Sequence, residues 1–126
     1  MLRLDPPAYR EADYVDLAPT IHRQRLVIEG IPSATIDATD IVDYLSQLSE
    51  VCAMRRLTEP VTHRSPLYGW AGWIHWETSG AHFYAWDEPQ LFFSVDIYTC
   101  KAFDPAEATE FTARFFAARR ITRREF

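Results

Sequence analysis

Residues able to transfer protons or attack as nucleophiles lie close together near the middle of the chain. His75 and Glu77 flank Trp76, and alternate residues of a strand share one side, so this pair could act as acid and base. Two exposed polar residues on a strand account for the same spacing more simply. Ser79 follows shortly after and, taken alone, is typical of a hairpin turn. Cys100 ends an apolar run, where most cysteines fill a core.

Aromatic and charged side chains in the same region also need an explanation. Trp70, Trp73, Trp76 and Trp86 can stack on a nucleobase, although a tryptophan-rich set of strands more often forms a core or an interface. Asp96 is a charge within an apolar run. Such a group needs either a partner or a functional reason to be there.

Composition limits the class of protein. The 126 residues suit one domain, and a hydrophobic content of 48% is ordinary for a globular chain. The net charge of −5 argues against a nucleic-acid binder, because phosphate backbones attract basic surfaces. The C-terminal arginines are interpreted as a solvated helix end favoured by the helix dipole; they are Arg114, Arg119, Arg120, Arg123 and Arg124.

Neither a metal site nor a membrane segment is indicated. Cys52 and Cys100 stand far apart, without the paired spacing of a metal site or a disulfide framework. The first residues lack the apolar core of a signal peptide, and no run approaches the roughly 20 apolar residues of a membrane span. We therefore expect a cytoplasmic protein that holds no metal and contacts no membrane.

Prolines mark residues 1–21 as an N-terminal arm. Pro6, Pro7 and Pro19 block regular backbone hydrogen bonding, so this segment is expected to be extended. The arm also carries apolar side chains with which to dock, namely Tyr9, Tyr14, Val15 and Leu17. We expect it to lie on its own domain or on a partner.

Residues 22–126 are predicted to form one α+β domain. Helical spacing predicts one helix capped by Asp37 or Thr39 and a second that starts at Asp104 with Pro105 in its first turn. The order strand, helix, strands, helix favours an α/β two-layer sandwich, a mostly antiparallel sheet with two helices on one face. The predicted strands are 25–29, one around 54–57, and three aromatic-rich runs at 72–77, 82–86 and 91–99, with a loop at 58–67.

The run from Ser65 to Cys100 resembles the prokaryotic S-adenosylmethionine decarboxylases, a pyruvoyl-dependent family. That family shows a Pro-x-Gly-x-x-Gly turn, a strand ending in Glu-Ser-His, a second strand ending in His-Thr-Trp-Pro-Glu, and then Ala-Val-Asp-Ile-Phe-Thr-Cys. The matching residues here are Gly69, Gly72, Trp86 and Glu88, aligned without a gap, and then Val95–Cys100, almost letter for letter. The resemblance implies the family's fold and, together with the aromatic content, a homodimer.

The resemblance also implies roles for individual residues. Family members cleave their own backbone before one serine, which becomes a pyruvoyl group that acts as the electron sink for decarboxylation. In this chain Ser79 corresponds to that serine, and Cys100 to the cysteine that returns a proton to the product. Glu88 corresponds to the residue that holds the ribose hydroxyls, and Trp86 is suggested to stack on adenine. Asp96 belongs to the last motif, which favours a structural ion pair for it.

Four positions that surround self-cleavage in the family have changed. The helper hydroxyl falls at Ala71, and the helper histidine falls at Tyr84, which cannot transfer protons at neutral pH as imidazole does. Thr78 and Gly80 stand where the family has glutamate and histidine. The serine itself remains.

An alternative register, two residues later, aligns His82 with the histidine of the Ser-His pair and Ala81 with the serine. It needs a gap and loses the match at Trp86. The gapless register is therefore preferred. The alternative would abolish the pyruvoyl group.

Three functions fit these residues. The first is decarboxylation of S-adenosylmethionine or a related amino acid after Ser79 matures to pyruvoyl. The second is an uncleaved relative that binds S-adenosylmethionine or a similar small molecule, as a binding protein or as a pyruvoyl-free lyase with Glu77 or His75 as base. The third is a non-catalytic paralogue that regulates an active partner. The second and third need no cofactor.

Overall fold

The helices and strands form two layers in the predicted α+β order. The structure is a computed structural model that describes residues 4–126. Its strands are β1 (Gln24–Ile31), β2 (Val61–Ser65), β3 (Gly69–Trp76), β4 (Ser79–Trp86), β5 (Phe92–Thr99) and β6 (Arg120–Glu125). Its helices are α1 (Ala38–Val51) and α2 (Pro105–Phe115), and a short 3-10 helix (Glu11–Asp13) precedes the sheet. The antiparallel sheet, in the order β2-β3-β4-β5-β1-β6, confirms the predicted fold class.

One face of the sheet packs against both helices. Alternate residues of the central strands, such as Leu26, Phe83 and Val95, are fully buried on that face. Each such side chain contributes about 1.5–3 kcal/mol by leaving water, so a slip of one residue in register would be costly. No helix within residues 4–126 covers the other face. The helices contribute to the same core through Ile41, Tyr44, Leu45, Leu48, Ala108 and Phe116.

Side-chain caps begin both helices where the sequence predicts them. The carboxylate of Asp37 accepts the Asp40 N–H at 2.9 Å, and the Asp40 carboxylate accepts the Asp37 N–H at 3.0 Å. This reciprocal arrangement satisfies two backbone donors at the start of α1. Asp104 accepts a first-turn N–H of α2 at 2.9 Å, with Pro105 at the first position. Thr39, the other predicted cap, lies inside α1.

Two buried hydrogen bonds tie α1 to α2 and to the sheet. Tyr44 Oη lies 2.7 Å from Thr112 Oγ1, and burial raises the pKa of the Tyr44 phenol far above its ordinary value. The indole N–H of Trp76 donates to Ser49 Oγ at 2.8 Å, and that hydroxyl donates to the Leu45 carbonyl at 2.7 Å. Within residues 4–126 every buried side-chain nitrogen and oxygen has a partner.

Two predictions for the stretch between α1 and β3 are wrong. Residues 54–57 form no strand, and only Arg56 makes a single bridge to β3. The predicted loop at 58–67 instead contains β2. Pro60 and Pro66 lie just outside β2, so they bound the strand rather than interrupt it.

The prediction that the C-terminal arginines form a helix end is also wrong. α2 ends at Phe115, and Ala117 adopts a left-handed φ of +44°, which breaks the helix. The arginines from Arg120 onward then lie in β6, paired with β1 at the edge of the sheet. Only Arg114 stays in the last turn of α2. An arginine-rich segment carries little of the residue pattern that predicts a strand.

Residues 4–23 precede the sheet and are exposed, except for the half-buried Ala18. The hydrogen bonds of this segment are local, and they include ion pairs of Arg10 with Asp13 and of Arg23 with Asp16. Residues 1–3 of the predicted arm lie outside the described part of the chain. Neither helix within residues 4–126 has the length and apolarity that crossing a bilayer requires.

Replacing Ser49 with alanine should destabilise the fold by about 1–3 kcal/mol, because the buried indole N–H of Trp76 loses its acceptor. Urea unfolding followed by tryptophan fluorescence measures the difference. Ser46→Ala on the same helix is the control, since Ser46 accepts only an exposed bond from Arg56. It should change the free energy of unfolding by less than about 0.5 kcal/mol. Equal losses in the two variants would contradict the role given to Ser49.

Candidate functional site

A two-residue turn joins β3 to β4 and positions Ser79. Trp76 and Ser79 face each other across the hairpin, which leaves Glu77 and Thr78 as the turn. Ser79 has a φ of +116°, a conformation that residues with a Cβ rarely adopt. Such a conformation costs about 1–3 kcal/mol. The hairpin therefore stores backbone strain at the serine that the resemblance implicates.

The carbonyl oxygen of Thr78 is held by Cys100. The backbone N–H of Cys100 donates to this oxygen at 3.0 Å, and Cys100 Sγ lies 3.6 Å from it. Pairing of Ser79 with Thr99 between β4 and β5 brings the two residues together. Donors aimed at a carbonyl oxygen stabilise negative charge on it. The carbonyl of the Thr78–Ser79 peptide bond therefore accepts from both the backbone and the side chain of Cys100.

A cavity of about 470 Å³ opens on the face of the sheet that carries no helix. Strands β1, β3, β4 and β5 contribute to its walls, and the residues that line it include two histidines, an arginine, an aspartate, a tyrosine and a serine. Ser79 thus shares one space with several groups that can carry protons. The lining residues are Arg25, Ile74, His75, Ser79, Gly80, His82, Asp96 and Tyr98.

An ion pair spans β1 and β5 at this cavity. Arg25 Nε and Nη2 donate to the two carboxylate oxygens of Asp96 at 3.0 and 2.9 Å. These hydrogen bonds raise the pKa of Arg25, so the guanidinium stays charged. The pair is exposed to water, which screens it, and it contributes little to stability. The structural ion pair expected for Asp96 is confirmed.

Gly80 is required by the close approach of β3 and β4. A Cβ at this position would lie 2.3 Å from the carbonyl oxygen of Ile74. The cross-strand neighbours of Gly80 are His75 and Tyr98, so the missing side chain leaves open space between them. The glycine at this position therefore both permits the close approach of the strands and leaves room in the cavity.

The predicted pair of His75 and Glu77 does not form. His75 is exposed on β3, with its ring edge-on to Trp73 at 4.7 Å between centroids. Glu77 lies in the turn, and its carboxylate pairs with Arg55 at 3.6 Å. The alternation on which the pair depends stops because β3 ends at Trp76. Of the two residues, only His75 lines the cavity.

Trp86 and Glu88 lie at the opposite end of β4 from Ser79. The strand runs from Ser79 to Trp86, a span of about 23 Å at the usual rise per residue. Trp86 packs on Phe92 at 5.2 Å between centroids and borders a separate cavity of about 330 Å³. Glu88 is exposed in the loop that follows. In one copy of the chain, the predicted reacting residues and the predicted ligand-binding residues form two separate sites.

The changed positions Ala71 and Tyr84 also lie away from Ser79. They face each other across β3 and β4, about 17 Å along β4 from Ser79. The Tyr84 hydroxyl lies 3.4 Å from Nδ1 of His82. The imidazoles that share the cavity with Ser79 in one copy are those of His75 and His82.

Sequence reasoning missed Arg25 and Tyr98 as cavity residues and placed His82 only in the alternative register. Alternation predicts which side of a strand each residue occupies, but not which strands are neighbours. The pairing of Arg25 with Tyr98 joins distant parts of the chain, and no local pattern indicates it. Within residues 4–126 no three His, Cys, Asp or Glu side chains converge as metal ligands.

The fold and the hairpin define a two-layer α+β protein with a cavity beside an adjoining serine and cysteine. A sequence model of the S-adenosylmethionine decarboxylase family matches residues 28–126, and the chain belongs to this family. Its structure is similar to the crystal structure of the adenosylmethionine decarboxylase from Aquifex aeolicus VF5, with a TM-score of 0.69 at 16% identity. That similarity covers 84% of this chain and 89% of the other. No curated protein matches the chain.

Only one of the two thiols should react rapidly with iodoacetamide in the folded protein. Cys52 is buried, and loss of hydration raises its pKa to about 12, so it stays protonated at neutral pH. Cys100 is exposed. Mass spectrometry should show one adduct, which is absent in Cys100→Ser, and two adducts after unfolding in urea. Rapid labelling of Cys52 in the folded chain would contradict this arrangement.

Proposed function

We propose that this protein decarboxylates S-adenosylmethionine or a related amino acid after the Thr78–Ser79 bond is cleaved and Ser79 becomes a pyruvoyl group. The arrangement of that bond carries the proposal. Ser79 is strained, and the N–H and thiol of Cys100 contact the Thr78 carbonyl oxygen. Attack of the Ser79 hydroxyl on this carbonyl would develop negative charge on an oxygen that already accepts from Cys100.

The surroundings of Ser79 fit a pyruvoyl group. Ser79 borders the cavity of about 470 Å³, and small-molecule sites usually have about 300–1,000 Å³. A pyruvoyl carbonyl supplies the electron sink for loss of carbon dioxide. Cys100 lies beside this position and can hold or return a proton through Sγ, while His75 and His82 can exchange protons with water in the cavity.

The distance between the predicted reacting and binding residues favours a site completed by a second copy of the chain. S-adenosylmethionine joins its amine to adenine through roughly nine bonds of about 1.5 Å, so these ends are at most about 14 Å apart. Ser79 and Trp86 of one copy are about 23 Å apart along β4. One ligand would contact both in the same copy only in a nearly fully extended form. A homodimer that stacks its helix-free faces in opposite directions would bring Trp86 and Glu88 of one copy to Ser79 of the other, which supports the predicted dimer.

A second candidate is an uncleaved protein that binds S-adenosylmethionine or a similar small molecule. It is favoured by the lack of a hydroxyl at Ala71 and of an imidazole at Tyr84, since the family uses these groups in self-cleavage. The cavity at Ser79 and the Trp86–Glu88 end would then serve binding alone. Both proposals include a cytoplasmic location for the protein.

Self-cleavage can be followed by intact-mass spectrometry. The 14.6 kDa chain should convert at neutral pH to two fragments, residues 1–78 and 79–126. Ser79→Ala should stay intact because no hydroxyl is available to attack the Thr78 carbonyl. Cys100→Ala should slow cleavage about tenfold through loss of one hydrogen-bond donor, whereas the exposed change Glu110→Gln on α2 should not. A wild-type chain that never cleaves would exclude the decarboxylase and leave the second candidate.

Calorimetry with S-adenosylmethionine tests the binding that both candidates require. Ser79→Ala cannot cleave itself and should still bind the ligand. Adding Glu88→Ala should weaken binding by about 10–100-fold, since a hydrogen bond to a charged group contributes about 1.5–3 kcal/mol. Glu110→Gln in the same background is the control. If neither the wild type nor Ser79→Ala binds, both candidates fail and the non-catalytic regulatory paralogue is the remaining hypothesis.

A further inference from the structure

The outer strand β6 has a free edge and a strongly basic surface. It pairs only with β1, so its outward N–H and C=O groups have no partner strand within residues 4–126. All six of its residues are exposed. Residues 119–125 hold four arginines and one glutamate, a net charge of +3. None of these arginines forms an ion pair in the described part of the chain.

The arm before β1 has the opposite charge and little surface to cover it. Residues 4–21 hold four acids and one arginine, a net charge of −3. Tyr9, Tyr14 and Leu17 are 88%, 81% and 87% exposed. The family match starts only at residue 28, so the arm lies outside the part of the chain that defines the family. Asp13 and Asp16 form local ion pairs, but Asp5 and Glu11 form none within residues 4–126. These two acids and the exposed apolar side chains can therefore serve an interaction particular to this protein.

A small cavity beside β6 lies at the end remote from the root of the arm. It has a volume of about 170 Å³, and Ile31, Phe92 and Ile121 are among its lining residues. The arm enters the sheet at Gln24, about 23 Å away along β1. Tyr14 lies at this near end of the same copy, in a shallow cleft that Phe126 also lines. The arm as it stands thus leaves both the basic edge and the cavity of its own copy uncovered.

We propose that the arm of one copy docks along the β6 edge of a second copy. A twofold axis that sets two β6 edges antiparallel places the arm root of each copy beside the cavity end of the other. Direct contact of the two edges would bring together two segments of net charge +3, and acidic arms lying between them reduce that repulsion. The free edge can accept an extended segment through backbone hydrogen bonds, and the apolar arm residues then cover the cavity. This contact is separate from the helix-free face and does not depend on cleavage at Ser79.

Charge-swapped full-length chains test the proposal. One variant carries Arg120→Glu and Arg124→Glu, and the other carries Asp5→Lys and Glu11→Lys, two acids without an ion pair in the described residues. By analytical ultracentrifugation at a concentration where the wild type is fully associated, each variant alone should have half the wild-type mass. An equimolar mixture should regain the wild-type mass, because each arm then meets an edge of opposite charge. Arg114→Glu on α2 is the matched control and should leave the mass unchanged.

The mixture separates contact between copies from contact within one copy. If the arm docks on its own β6, mixing restores nothing, and the proposal fails. It also fails if the two variants keep the wild-type mass. Circular dichroism confirms that each variant is folded before mixing. Intact-mass and calorimetric results at Ser79 and Glu88 are independent of these outcomes, so the two proposals can fail separately.

Discussion

Side chains of the central strands alternate between the two faces of the sheet, and these two faces have different chemical environments. One set of side chains, typified by Phe83 and Ile97, must pack against α1 and α2, and this requirement sets the register of the sheet. The side chains on the opposite face do not pack against the helices, so they can be polar. Arg25, His82 and Asp96 therefore lie on the helix-free face of the sheet. A cavity opens on this face, which no second layer of helices covers.

The β3–β4 hairpin brings a serine with a strained backbone beside a cysteine. Ser79, the first residue of β4 after a turn of two residues, has a left-handed φ, and β5 on the other side brings Cys100 to the preceding carbonyl. The strain of about 1–3 kcal/mol persists because β4 is paired along its whole length on both edges.

Both proposals require contacts from a second copy of the chain, for different physical reasons. At the helix-free face the reason is the distance between Ser79 and Trp86, which lie at opposite ends of one strand. At the sheet edge the reason is charge, because a basic strand and an acidic arm are both uncovered in the same chain. A chain of this size exposes much surface relative to its core, so each proposed contact would bury surface that the single domain leaves exposed.

Local spacing and contiguous motifs determined much of this protein from its sequence alone. The helix caps at Asp37 and Asp104, the antiparallel order of the aromatic strands and the family itself all depend on residues close together in the chain. The ion pair of Asp96 was also expected, although its partner was not. Only the tertiary structure decided that β2 and β6 exist, that Glu77 lies beyond its strand, and that Arg25 joins the cavity of Ser79. The physical reason is that strand pairing acts between distant segments, and side-chain periodicity states which face a residue occupies but not which strand lies beside it.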